Sequence, residues 1–129
     1  MEYITVKGNG PLRGEVRVEG AKNSALKLMA AALLIPHEVH LKNVPLIADV
    51  EVMEELLKAL GVKISRPRDH EIILDASEVS SYRAPYEIVS RMRASTAVLG
   101  PLSARFKRAS VAMPGGCNIG SRKIDMHIS

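Results

Sequence analysis

Aromatic side chains are scarce. The 129 residues include no Trp, one Phe and three Tyr, 3% in all. A core must then be filled by Ala, Val, Leu, Ile and the six Met residues, shapes that suit close helix packing. The same scarcity removes the stacking platforms used to bind single-stranded nucleic acid. A single cysteine, Cys117, excludes an internal disulfide. The histidines His37, His40, His70 and His127 have no metal-ligand spacing with Cys117 or with one another, so neither a metal nor another cofactor is expected. No apolar run approaches the roughly 18 residues of a membrane span. The opening MEYITVKGNG lacks the apolar centre of a signal peptide. No membrane partner is expected, and a reducing cytoplasm is the expected compartment.

A hydrophobic fraction of 47% is enough for one ordinary domain with a real core. Eighteen Lys and Arg against fourteen Asp and Glu give a formal charge of +4, and the pI is near 9.4. An anionic partner suits this balance. The positive residues are spread along the chain rather than clustered, which favours small phosphorylated ligands over nucleic acid.

Residues 3–7 and 12–19 alternate charged and apolar positions around the turn signal Gly8-Asn9-Gly10-Pro11 and predict two strands. The run Ser24 to Ile35 carries one charge, Lys27, and predicts a helix apolar on nearly every face and surrounded by protein, ended by Pro36. A short strand follows at 38–41, then an amphipathic helix over 47–60 with Glu51, Glu54, Glu55 and Lys58 solvated and Gly61 as its stop. Strands are expected at 62–65 and 71–74. A loop to Ala84-Pro85 leads into a helical stretch from Tyr86, and ASTAVLGPLSARF predicts a second apolar helix interrupted at Gly100-Pro101. A strand at 110–113 ends at Pro114-Gly115-Gly116, before a last helical start near Lys123.

The order apolar helix, short strand, loop, helix occurs twice. Ser95 lies 71 positions after Ser24 (95 − 24), and the same offset sets Ile35 on Phe106 and Leu41 on Ala112. The second copy stops at Ser129 with its second helix barely begun. Repeat units bury their apolar faces against neighbours, so packing partners are expected beyond the second copy.

Cys117 follows two glycines in PGGCNIGSR, where the backbone is free to approach a ligand and Arg122 favours a thiolate. A lone cysteine is more often inert and buried. Lys22 and Asn23 stand at the start of the apolar helix, where backbone N–H groups attract anions and a lysine adds a point charge. The plainer account is a helix capped by Asn23 with a solvated lysine. Arg91 and Arg93 flank Met92, and the 71-residue offset sets Arg93 on Lys22, so two matching units each aim a cation from a helix start. Two motifs are set aside. Ser24-Ala25-Leu26-Lys27 lacks the further elements of penicillin-recognising serine enzymes, and Gly8-Asn9-Gly10 lacks the third glycine of a dinucleotide fingerprint.

The segments GAKNSALKLMAAALL, APYEIVSRMRAS, LGPLSARF, PGGCNIGSR and DMHIS resemble the corresponding stretches of the UDP-N-acetylglucosamine enolpyruvyl transferases, in order through nearly the whole chain. The sister family that makes enolpyruvylshikimate phosphate shares the fold and a lysine at the first helix but lacks the Gly-Gly-Cys loop. The resemblance implies an α/β fold of repeated βαβαββ units, an inside-out α/β barrel with helices inside and sheets outside, here truncated within the second unit. It implies that residues 1–20 are first strands belonging to the other globular domain, and that 21–129 form a partial catalytic domain, unit one over about 21–83 and an incomplete unit two over about 84–129.

The resemblance further implies transfer of the enolpyruvyl group of phosphoenolpyruvate to the 3-hydroxyl of UDP-N-acetylglucosamine, the first committed step of peptidoglycan synthesis and so of cell-wall growth and division. It assigns Lys22 to phosphoenolpyruvate and Asn23 to the UDP-sugar, and sets Arg93 and Arg122 around the phosphate and carboxylate. It makes Cys117 the residue that forms an adduct with phosphoenolpyruvate and is alkylated by fosfomycin, with His127 tuning the site. Ala97 stands where some members carry Trp, and Lys123 where Pro is common. The family's general base, an Asp, falls beyond Ser129. The remainder of the same enzyme chain is therefore an expected partner, and the alternative expectation is an inactive fragment or anion-binding module.

Overall fold

The computed structural model describes residues 2–113. The expected site residues Cys117, Arg122 and His127 lie outside them, as does the helical start near Lys123. Residues 2–20 form neither of the strands expected at 3–7 and 12–19. An alternating segment becomes a strand only when another strand satisfies its ladder, and none pairs with it among the described residues. Tyr3, Ile4, Val6, Leu12, Val16 and Val18 are instead 80% to 95% exposed.

The first helix, α1 (Lys22–Ala31), starts after an extended Ala21 and has no side-chain cap. Asn23 lies inside the first turn, so the capping role considered for it is not what it does. Leu26, Met29, Ala30 and Leu33 recur at three- and four-residue spacing and are buried. The last turn tightens into a 3-10 helix, Ala32–Leu34, ahead of Pro36, whose ring cannot continue the spiral. Burial is not all round as expected: Leu28 and Leu34 are 52% and 53% exposed.

Strand β1 (Glu38–Leu41) leads to α2 (Ala48–Leu60), whose first turn carries Asp49 and Glu51 and whose last carries Lys58, charges that suit the helix dipole. Val50, Met53, Leu56, Leu57 and Leu60 are fully buried. Glu54 is a correction to the sequence reading: it is 9% exposed rather than solvated. Its carboxylate accepts bonds from Arg66, including one from Nε at 2.8 Å, while Arg66 Nη1 donates to the Asp69 carbonyl at 2.9 Å. This ties α2 to the following strand.

Gly61 ends α2 at φ 105°, a left-handed C-cap that returns N–H groups to the last carbonyls of the helix. A Cβ there would also meet Ser80 at 2.9 Å. Gly61→Ala is expected to cost about 2 kcal/mol, from left-handed strain plus that contact. Urea unfolding checks this, and an unchanged midpoint would show that the turn relaxes freely.

Strands β2 (Lys63–Arg68) and β3 (Glu71–Asp75) follow, and the antiparallel sheet has the order β1-β3-β2. Ile72 and Leu74 face the core, with Ile73 between them half-buried on the other face. Pro67 is accommodated because β2 is an edge strand whose register shifts between Ser65 and Arg68.

The second half begins with β4 (Arg83–Ala84), a two-residue strand in what the sequence reads as loop, followed by α3 (Tyr86–Val89). A 3-10 helix, Arg93–Val98, then runs into α4 (Leu99–Phe106), and β5 (Ser110–Val111) returns parallel to β4. Gly100-Pro101 does not interrupt the helix as expected. Pro101 is the third residue of α4, in the first turn, where a missing N–H is not needed.

The 71-residue repeat is visible in the structure. Shifted by that offset, α1 with its 3-10 turn overlays residues 93–105, and β1 overlays β5. Helix α1 packs on the 3-10 helix Arg93–Val98, and the 3-10 turn Ala32–Leu34 packs on α4. First halves meet first halves and second halves meet second halves, so the two copies run side by side in one direction. Arg105 joins their far ends, donating from Nη1 to the Leu33 carbonyl at 2.9 Å and from Nη2 to the Ser77 carbonyl at 3.2 Å. One hydrophobic core spans both copies, from Leu26 and Met29 to Val98 and Leu102.

Candidate functional site

Because the copies are parallel, both helix starts lie at the same end. Lys22 is the first residue of α1 and Arg93 the first of the 3-10 helix beside it. The structure thus brings these two cations onto adjoining starts. Arg91 is directed elsewhere, in an ion pair with Glu55 of α2. The first turn of α1 has no acidic residue and no cap, so its N–H groups present positive potential to whatever approaches.

Lys22 Nζ lies 2.8 Å from Asp49 Oδ2 in the first turn of α2. Asp49 is absent from the sequence-derived candidates. It is 27 positions from Lys22 (49 − 22), and nothing in a helix period announces a pair between two helices. The signal available was that a helix start with a lysine and a helix start with two acids, Asp49 and Glu51, are joined through one short strand.

Asn23 is exposed in the same first turn. Gly20 precedes it at a tight crossing: a Cβ on Gly20 would fall 1.9 Å from the Asn43 carbonyl oxygen. Asn43 itself turns the chain at φ 56°. A cleft of about 160 Å³ opens there between the start of α1 and the 41–44 segment, lined by Gly20, Ser24, Lys42 and Asn43 together with the apolar Ala25, Leu28, Leu41 and Val44. That is below the roughly 300 Å³ at which ligand pockets begin, so the cleft formed by the described residues is too small to enclose a nucleotide.

Two histidines have structural partners. His40 pairs with Glu71 at 3.0 Å, and His70 Nδ1 lies 2.9 Å from the Val44 carbonyl. Among the described residues no three His, Cys, Asp or Glu gather as a metal site would require. Lys63 is held above its ordinary pKa by the hydrogen bond and charge of Glu78, and Asp75 below its own by hydrogen bonds from Ser77. Both lie at ends of the three-stranded sheet. No helix among the described residues is long and apolar enough to cross a membrane.

A family model described as EPSP synthase (3-phosphoshikimate 1-carboxyvinyltransferase) matches residues 6–129. The chain belongs to the EPSP synthase family. Within it, the chain is 48% identical over 128 residues to the UDP-N-acetylglucosamine 1-carboxyvinyltransferase of Cellvibrio japonicus, covering 99% of this chain and 30% of that protein. The enzyme of the same name from Halorhodospira halophila is 46% identical over 99% of this chain and 31% of its own length. The crystal structure of the enolpyruvyl transferase NikO from Streptomyces tendae superimposes with a TM-score of 0.66 at 30% identity, over 76% of this chain and 23% of that one. The α/β fold expected from the sequence is thus that of part of an EPSP synthase family member. The chain spans about 30% of the length of the curated relatives it matches.

Proposed function

We propose that the whole protein to which this chain belongs is a UDP-N-acetylglucosamine 1-carboxyvinyltransferase, transferring the enolpyruvyl group of phosphoenolpyruvate to the sugar 3-hydroxyl with release of phosphate. The observation that carries the proposal is the 44% to 48% identity, over 99% to 100% of this chain, to relatives of that name. The parallel helix starts supply the matching chemistry. A substrate bearing both a phosphate and a carboxylate needs cations from two directions, and Lys22 and Arg93 come from two structural copies. The relatives' length assigns the activity to the whole protein rather than to these 129 residues alone.

In the reaction, the 3-hydroxyl gives up its proton to a general base outside these 129 residues as its oxygen bonds to C2 of phosphoenolpyruvate, while an acid delivers a proton to C3. The C2–O bond to phosphate then breaks as a proton leaves C3, restoring the double bond. In this reading Lys22 and Arg93 hold the phosphate and carboxylate, and Asn23 binds the UDP-sugar. From the segment outside the described residues, Arg122 joins the anion cluster, Cys117 forms the adduct with phosphoenolpyruvate, and His127 tunes the potential. Residues 1–20 pack as strands on the other globular domain, which accounts for the exposed side chains from Tyr3 to Val18. The protein works in the cytoplasm, where both substrates are made.

Incubating the full-length protein with fosfomycin and UDP-N-acetylglucosamine is expected to add one adduct mass at Cys117, read by peptide mass spectrometry. Phosphate release should require both substrates. An unmodified Cys117 together with no substrate-dependent phosphate would remove the proposal.

A further inference from the structure

We infer that Asp49 is a positioning residue for Lys22, an inference that rests on the transferase reading above. A lysine at the first position of a helix is electrostatically misplaced, since the dipole and the free N–H groups there repel a cation. It also sits on a four-carbon stem with several rotatable bonds. Left alone, such an ammonium swings into water. Helix α1 provides no acid in its first turn to restrain it. The acid comes from the neighbouring helix, with Asp49 Oδ2 2.8 Å from Lys22 Nζ.

The ammonium is thereby held toward the first turn of α2, at the end where α1 and the 3-10 helix opened by Arg93 begin. Stability is not a sufficient reason for the pair. The Lys22 and Asp49 side chains are 53% and 37% exposed, and exposed pairs contribute at most about 1 kcal/mol. Nor does the repeat demand an acid at this register, because the 71-residue offset sets Gly120 on Asp49. At this register the lysine copy carries an acid and the arginine copy a glycine.

The test uses the full-length protein and the variants Asp49→Asn and Asp49→Glu. Asn keeps the size and removes the charge, while Glu keeps the charge on a stem that still reaches the ammonium. Asp49→Asn is expected to lower kcat/KM for phosphoenolpyruvate roughly tenfold to a hundredfold, the scale of a misplaced binding group. The KM for the UDP-sugar should stay within about twofold and the melting temperature within about 2 °C. Asp49→Glu should recover most of the loss.

A readout independent of turnover is acetic anhydride labelling, scored as the ratio of Lys22 to Lys27, the exposed lysine further along the same helix. That ratio should rise severalfold in Asp49→Asn. An unchanged labelling ratio, or equal losses in Asn and Glu variants that follow the melting temperature, overturns the inference. If the wild-type protein shows no transfer at all, the transferase reading fails by itself, and the labelling ratio still decides whether Asp49 restrains Lys22.

Discussion

Gly20→Ala is expected to be the most damaging single substitution for folding, at about 3 kcal/mol or more. The added Cβ would fall 1.9 Å from the Asn43 carbonyl oxygen, well inside any contact a carbon can make. Backbone oxygen cannot rotate aside as a side chain can, so the crossing between residue 20 and the 42–45 loop must open. That loop is fixed at its other end: the Val44 N–H donates to the His70 carbonyl at 2.9 Å, and Val44 is 2% exposed. Movement therefore passes either to the core or to the first turn of α1, which carries Lys22 and Asn23. A melting temperature and substrate affinity both within error of wild type would show that the loop yields without cost. Gly20→Ser should behave as badly, since the obstruction is at Cβ.

Much of the fold was legible because local chemistry and tertiary packing agree. Strand β1 falls on its expected residues, and α2 ends where Gly61 supplies the left-handed turn. The repeat offset anticipated two packed helices that each open with a cation, Lys22 on α1 and Arg93 on the 3-10 helix, because two copies of one supersecondary unit bury the same apolar stripe against each other. Where expectation failed, the missing information was tertiary. The 12–19 segment has a strand's alternation, but alternation does not supply a partner. Glu54 has the spacing of a solvated residue and is instead drawn inward by Arg66 from a strand twelve positions on. Pro101 reads as a breaker until the helix start is known to lie only two residues before it. Of the candidate site, the helix-start positions of Lys22 and Arg93 were readable and the Lys22–Asp49 pair was not, since Asp49 meets Lys22 only after β1 folds the second helix start back over the first.

Lys22→Met should produce the largest effect on turnover in the proposed transferase, lowering kcat/KM for phosphoenolpyruvate by about three orders of magnitude, the scale lost when one preorganised donor to developing charge is removed. Methionine keeps the unbranched stem and helix propensity, so α1 should form as before. The side chain is half exposed, which leaves little buried surface to lose and predicts an unchanged melting temperature. The phosphate leaves with its negative charge, and a cation at the first turn of α1 adds to the helix-end potential there rather than merely neutralising solvent-screened charge. The informative comparison is the double variant. If Asp49 acts through Lys22, then Asp49→Asn has a large effect in the native background and almost none once Lys22 is methionine, a coupling that a double-mutant cycle reads directly. Additive losses would assign Asp49 a separate role at the start of α2, in which its carboxylate serves the dipole of its own helix and the 2.8 Å contact is incidental.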